Sequence, residues 1–515
     1  MPENSNYIAV TIGPVLDTIN LTSSPSALWA ASYMMSMLSK NICLSLIAHE
    51  VNQEDIVSPY FDKDDELFNR NDGVGLFHDR VIFKADNFDI KDFPAVRDEA
   101  IENTVEYFGF TKDKDIKYFK EYFLVSAVLL ENSTNPIMDS GKKLDCLELA
   151  KSFVSSQDSN PILSFYNSED ITTSPSRNDA IRIQVTDKKK GMGIENWQLL
   201  DDCRRIRSIP DIARGRGDEK KWKKYNYYAV VRSDGDRITS IIQNLKPGEI
   251  RGFSEKCMNY CAEIAKTLHE KYGGVTIYSG GDDLLALMPV EYESKEGIKN
   301  IFEFTKEANE DFIQTFKNPN QEENDEAAKK SENHSQNISL SFGIFVAYSA
   351  FPLYEALEQS ADLLFGVAKN IKNCVAICFQ KHSGQSEGLI IPNKDMQEYI
   401  TFHNNCIKNT SEDADEKVIY SAMHKFALFD DMFNNSAGAE LENVFKNIFD
   451  GDKQKFNSFL QKDLYEFFKK LKENLNISMI KGRDKDKKDL NSHALKMEYI
   501  LRIIKFFKEK AGEGE

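Results

Sequence analysis

Val275–Val290 reads VTIYSGGDDLLALMPV: an apolar run, a Gly-Gly-Asp-Asp turn and a second apolar run. Both flanks read as buried strands, so the four residues between them form a hairpin turn. Gly280 and Gly281 satisfy that turn by themselves, because glycine tolerates the positive φ of tight connections. A doubled carboxylate, Asp282 and Asp283, is more than the turn requires. Adjacent acids at a strand end suit a metal–nucleotide site, and such a site needs a third carboxylate from elsewhere in the chain.

The surrounding residues supply it. YNYYAVVRSDGDRITSII is predicted to be a strand ending at Asp234, followed by a turn into a helix. FSEKCMNYCAEIAKTLHEKYGG places Phe253, Cys257, Cys261, Ile264, Leu268 and Tyr272 on one helical face, with Gly273 and Gly274 as the stop. Cys257 and Cys261 thus read as core residues. After the hairpin come a helix from Glu296 (EGIKNIFEFTKEANEDFIQTFKN), a strand (ISLSFGIFVAY), a helix (PLYEALEQSADLLFGVAKNIKN) and a strand (CVAICF). The order β-α-β-β-α-β is the ferredoxin-like arrangement, in which the first strand lies beside the central hairpin. That topology brings Asp234 to Asp282 and Asp283. Three crowded carboxylates repel, and magnesium or manganese is the remedy that keeps positions open for substrate phosphates. Gly280 and Gly281 let the backbone approach a triphosphate; Ser279 and Gly235 join them as candidate nucleotide-contacting positions.

The rest of the 515 residues narrows the class. No run of about 18 apolar residues occurs, and Met1–Val10 lacks the order of a signal peptide, so a cytoplasmic protein without membrane contact is expected. Eight scattered cysteines without a C-x-x-C pair exclude a disulfide scaffold or zinc ribbon. A net charge of −17 repels a phosphate backbone, so any nucleic acid is expected to be held by local patches or partner subunits. One basic stretch, from Arg204 to Lys224, interleaves Arg207, Arg214, Lys221 and Lys223 with Trp222 and tyrosines. It is either a solvated loop or a partner-sensing element.

Four regions separate by pattern. Residues 1–160 open with YIAVTIGPV and SPSALWAASYMMSMLSK, where Ser24 is an N-cap and Pro25 the first helical residue, and continue through GLFHDRVIFKA and FPAVRDEAIENTVEYFGF. Residues 161–224 read as a linker, 225–390 as the ferredoxin-like unit and 391–515 as a small helical domain. His78–Asp79 is read as a strand dipeptide without companion histidines at ligand spacing.

On YYAVVRSDGD, SGGDDLLAL and ISLSFGIFVAYSAFPLYEALEQSADLLFGVAKN, residues 225–385 resemble the second Palm domain of the large polymerase/cyclase subunit of type III CRISPR effector complexes, a relative of GGDEF diguanylate cyclases. IGPV and ALWAASYMMSML are similar to the first Palm of the Cmr (III-B) branch. The resemblance implies an α+β fold with two ferredoxin-like Palm domains, and a target-RNA-activated nucleotidyltransferase. That activity would use ATP and Mg²⁺ or Mn²⁺ to make 3′-5′ linked adenylates, as far as cyclic oligoadenylate. Lys369 becomes a phosphate ligand by the same resemblance. Partners are expected to be other subunits of the ribonucleoprotein, with guide RNA and target RNA. The chain begins directly with the first Palm, so the HD nuclease of many members is not expected, nor are the family's zinc cysteines. Because NLTSSPSALWAAS offers few cations, Asp72 and Glu148 suit an acceptor with a positive centre. S-adenosylmethionine therefore stands beside ATP as an alternative acceptor. A catalytically inert structural subunit and a stand-alone GGDEF-type cyclase are the remaining readings; intact Asp234, Asp282 and Asp283 argue against the first.

Overall fold

The computed structural model describes residues 5–20, 22, 24–65, 73–108, 110–149, 198–200, 207–215, 217, 221–317, 338–408, 413–449, 463–480 and 492–509. Most of the expected linker 161–224 lies outside them.

The first sheet is built from β1 (Ser5–Gly13), β2 (Ile56–Ser58), β3 (Arg80–Lys84) and β4 (Leu124–Ser133) in the order β2-β3-β1-β4. β1 is central and antiparallel to both neighbours, pairing Tyr7 with Lys84 and Val10 with Ala127. Its side chains alternate as a strand requires. Ile8, Val10 and Ile12 enter the main core, while Tyr7 and Ala9 enter a smaller cluster on the opposite face with Val57, Ile82, Leu130 and Leu144. The helix Pro25–Ala48 starts as the sequence predicts: Ser24 accepts from the Ala27 amide, and proline opens the first turn. It is buried nearly all round, because it packs both within its own half and against the second sheet.

The second sheet has seven strands: β5 (Tyr227–Asp236), β6 (Val275–Gly280), β7 (Asp283–Pro289), β10 (Ser339–Tyr348), β11 (Cys374–Gln380), β12 (Ser386–Pro392) and β13 (Ser478–Met479). Their order, β13-β12-β11-β10-β5-β7-β6, contains the ferredoxin-like core β10-β5-β7-β6. The chain is thus α+β with two ferredoxin-like sheets. Beyond that core, β11 runs parallel to β10 and β12 and β13 extend the edge, so the last strand comes from the helical C-terminal region. The helix His493–Lys508 packs on β12 and sets Phe506 against Tyr227 at 4.8 Å.

Three local expectations are corrected and a fourth is refined. β5 continues past Asp234 to Asp236, because Gly235 and Asp236 still pair with Leu340 and Ser339 of β10. Residues from Glu296 are not yet helical: β8 (Glu291–Ser294) and β9 (Gly297–Asn300) form a small hairpin, and the helix runs Ile301–Phe316. Asn300 caps that helix through the amides of Phe302 and Glu303. Gly75–Asp79 is not strand; pairing begins at Arg80, so His78 and Asp79 lie just before β3. The helix Leu353–Ala361 passes into a π-helical turn, Asp362–Ala368, before Lys369–Ile371. Gly343 of β10 explains how closely this segment approaches: a Cβ there would lie 2.3 Å from the Leu364 nitrogen.

Candidate metal–nucleotide site

β5 and β7 are neighbours in antiparallel register, Ser233 facing Leu284, so the end of β5 meets the Gly-Gly-Asp-Asp turn. Asp234, Asp282 and Asp283 each offer a carboxylate oxygen, and these oxygens lie within 4.8 Å of one another. Gly235 is required for this approach, since a Cβ would fall 2.7 Å from Asp282 Oδ2. Gly281 has φ +69° and open space around its Cα, so backbone is bared beside the acids.

Lys369, delivered by the π-helical turn, points its ammonium into the end of β5. Its Nζ donates to the Gly235 carbonyl at 2.7 Å and lies 3.0 Å from Asp234 Oδ2 and 3.3 Å from Asp236 Oδ1. Asp236 is a site residue that the sequence reading passed over. It is buried and accepts from the hydroxyls of Ser339 and Ser341, both at 2.8 Å, and from the Asn373 amide at 2.9 Å. Two serines spaced i, i+2 on an otherwise apolar strand were the available signal, because they must share one face. Arg232 is a further cation nearby, half-buried and donating to Ser360 Oγ at 3.2 Å.

The charge balance is unfavourable as it stands. Lys369 faces four carboxylates. Burial raises the Asp234 carboxyl, although Lys369 pulls it down. Asp282 is pushed up to about 6, by burial and then by Asp234. Asp283 sits well above the ordinary carboxylate range because of burial, Asp282 and Asp234, even though part of its side chain reaches solvent. An all-oxygen donor set whose members resist ionising together fits a hard divalent cation, Mg²⁺ or Mn²⁺.

Other predicted residues fall elsewhere. Ser279 is buried, and its hydroxyl donates to the Cys261 carbonyl at 3.2 Å, so it fixes the turn from behind. Gly280 accommodates Tyr278, whose hydroxyl would be 2.4 Å from a Cβ there. Cys261 is core, as expected, but its thiol also donates to the Gly281 carbonyl at 3.4 Å. Glu148 accepts from Thr11 and lies 3.6 Å from Arg80, which also holds Asp145 at 2.6 Å, so it shares one cation with a second carboxylate. Asp72 lies outside the described residues. His78 is held low, at about 4, by burial and Arg80, and faces Ser58 at 3.2 Å. In the basic stretch, Arg207 donates to the Gly273 carbonyl at 2.8 Å and Lys224 is buried in an ion pair with Glu291. Arg204, Arg205, Arg216 and Lys220 lie outside the described residues. Among the described residues no helix is long and apolar enough to cross a membrane.

Comparison with known proteins bears on the family and the fold. Residues 227–376 match the Cas10/Cmr2 second palm domain, and residues 7–107 match the N-terminal domain of the CRISPR-associated protein Cmr2. The CRISPR system Cmr subunit Cmr2 of Pyrococcus furiosus is 28% identical over 188 residues, which is 31% of this chain but only 19% of that protein. Among solved structures, a type III-B Cmr-beta structure in the apo state superposes with TM-score 0.56 at 12% identity, covering 98% of this chain and 82% of that one. A Csm1–Csm4 cassette in complex with cA4 gives TM-score 0.53 at 12% identity, covering 98% and 70%. These two likenesses show the shared fold, and the sequence matches cover both halves of the chain, including Asp234, Asp282, Asp283 and Lys369. The chain thus carries a match to the Cas10/Cmr2 second palm domain and a match to the Cmr2 N-terminal domain, on the fold of type III CRISPR large subunits.

Proposed function

We propose that this protein is a nucleotidyltransferase that uses ATP as adenylyl donor and makes 3′-5′ linked adenylates, up to cyclic oligoadenylate. It would act within a type III CRISPR ribonucleoprotein whose guide RNA engages target RNA. The observation that carries this reading is the cluster of Asp234, Asp282 and Asp283 within 4.8 Å, beside Lys369. In the reaction, a 3′-hydroxyl oxygen attacks the α-phosphorus of ATP, the α–β bridging bond breaks, pyrophosphate departs and the hydroxyl proton is lost. Magnesium bound by the three carboxylates would acidify the attacking hydroxyl and neutralise the leaving pyrophosphate. Lys369 stands where it can meet a phosphate oxygen, and Asp236 keeps its ammonium at the end of β5. Gly281 leaves the turn bare enough for a triphosphate to lie against the backbone.

ATP is also the proposed acceptor. Glu148 is tied to Thr11 and shares Arg80 with Asp145, so it is engaged on the first sheet and not set apart for a sulfonium. The test is mass spectrometry of products from the purified complex with ATP, Mg²⁺ and target RNA, with and without S-adenosylmethionine. Oligoadenylates in both tubes, absent from Asp282→Ala/Asp283→Ala, are expected. A mixed product formed only with S-adenosylmethionine would reassign the acceptor, and no product at all would leave the inert-subunit reading.

A further inference from the structure

Arg251, in the first turn of the helix Ile250–Tyr272, reaches out of the second half into the first. One guanidinium nitrogen donates to the Ile56 carbonyl at 2.7 Å, with the Gln53 carbonyl at 3.4 Å, and the other donates to the Phe61 carbonyl at 2.9 Å. Its carbon stands 4.7 Å from the centre of the Tyr60 ring. All these partners belong to one strap, residues 53–61. The strap is closed on itself: Gln53 binds the Asp62 carboxylate at 2.9 Å and accepts from the Lys63 amide at 3.1 Å. Beside Arg251, Ile250 is fully buried in the smaller hydrophobic cluster of the first sheet, with Tyr7, Val57 and Leu130. Only a planar fork meets two diverging carbonyls while stacking on an aromatic ring; an ammonium is a point charge and meets one.

The same helix carries Cys261, ten residues and about 15 Å further along. Cys261 holds the Gly-Gly-Asp-Asp turn twice, through its thiol to the Gly281 carbonyl and through its own carbonyl to Ser279. From that turn the Ser279 amide donates back to the first half, to the Gly75 carbonyl at 3.1 Å. The contacts form a ring: strap, Arg251, helix, turn, Gly75, and back to the strap where Phe77 stands 6.4 Å from Phe61. Breaking the ring at Arg251 leaves Asp234, Asp282, Asp283 and Lys369 intact, because all four belong to the second half.

We infer that Arg251 is a positioning residue that sets the first half against the carboxylate turn, so that an acceptor nucleotide held there meets a donor held by the second half. The activity part rests on the adenylyl-transfer reading; the mechanical part does not. In the full chain, Arg251→Ala is expected to bind a non-hydrolysable ATP analogue with Mn²⁺ within about twofold of wild type. Amide hydrogen exchange at Ser279 and at residues 53–61 should accelerate by about tenfold or more, and adenylate formation in the assembled complex should fall by about tenfold or more. Arg251→Lys, which retains the charge but not the fork, should fall between, and it carries the same readouts where the alanine variant does not fold. Unchanged exchange at Ser279, analogue affinity falling in step with rate, or full rescue by Arg251→Lys would each overturn the inference. A wild-type complex that makes no adenylate removes the function proposed above, while the exchange pattern still decides the clamp.

Discussion

Asp282 is costly to the fold as long as its neighbours are also charged. Its carboxyl is held at about 6, so between its ordinary value near 3.8 and 6 the folded chain binds a proton that the unfolded chain has lost. Stability contributed at this position therefore rises as pH falls through that window and is lowest above it. A divalent cation removes the penalty by replacing the proton. Two outcomes follow at this scale. Metal affinity, measured by titration calorimetry, should weaken as pH drops below about 6, because the proton competes for the same oxygens. Asp282→Asn should raise the melting temperature of metal-free protein at pH 8, on the order of 1–3 °C, while abolishing the Mg²⁺-induced rise seen in wild type. An unchanged Mg²⁺ response in that variant would show that the cation binds elsewhere. Of these residues, Asp234, Asp282 and Asp283 could be found from sequence, since strand adjacency follows from the order of elements. Asp236 was harder to find: the spacing of Ser339 and Ser341 marks a polar face on β10, but that Asp236 is what this face and Asn373 meet follows only from the β5–β10 register.

Elements deliver these side chains, and one glycine governs the delivery of Lys369. Gly343 lies under the π-helical turn, where a Cβ would meet the Leu364 nitrogen at 2.3 Å and the Ser360 carbonyl oxygen at 2.4 Å. Backbone cannot give way as a flexible side chain does, so Gly343→Ala must push the segment outward. We expect a loss of roughly 1–3 kcal/mol in denaturant unfolding, with ATP-analogue affinity reduced as Lys369 leaves the end of β5. Weakened stability with untouched nucleotide affinity would separate Lys369 from phosphate binding. The sequence read this segment correctly as helical, but the π turn left no mark in its periodicity. The β8–β9 hairpin was missed for a related reason: Ile298, Ile301 and Phe302 continue the helical spacing toward the N-terminus. The decisive cue was Asn300 followed by Glu303, a capping box that starts the helix at Ile301.

At the scale of the whole molecule, the helical C-terminal region is tied to the second sheet by strand, ion pair and aromatic ring. Arg502 bridges Glu498 and the buried Glu387 of β12. His403, on the helix Asn393–Lys408, stands between Phe302 of another helix at 5.4 Å and Phe507 of the C-terminal helix at 4.6 Å, with Tyr399 beside it. It is 1% exposed, and burial holds it down at about 4 despite a hydrogen bond with Asn404. The folded ring is thus neutral where an unfolded histidine is already gaining a proton. Between pH 6.5 and 4 the unfolded chain binds more protons here than the folded one, so this group's contribution to stability falls as the pH is lowered through that window. A shift of this size corresponds to at most about 3 kcal/mol. His78, also held at about 4, acts in the same direction, whereas the metal-free carboxylate cluster acts oppositely. The contribution of His403 must therefore be read as a difference. His403→Phe fills the same aromatic space without a titrating nitrogen, and its unfolding free energy, minus that of wild type, should grow as the pH falls from 6.5 to 4. A difference that stays flat across that range would mean that the C-terminal helix opens locally and lets His403 take its proton in water.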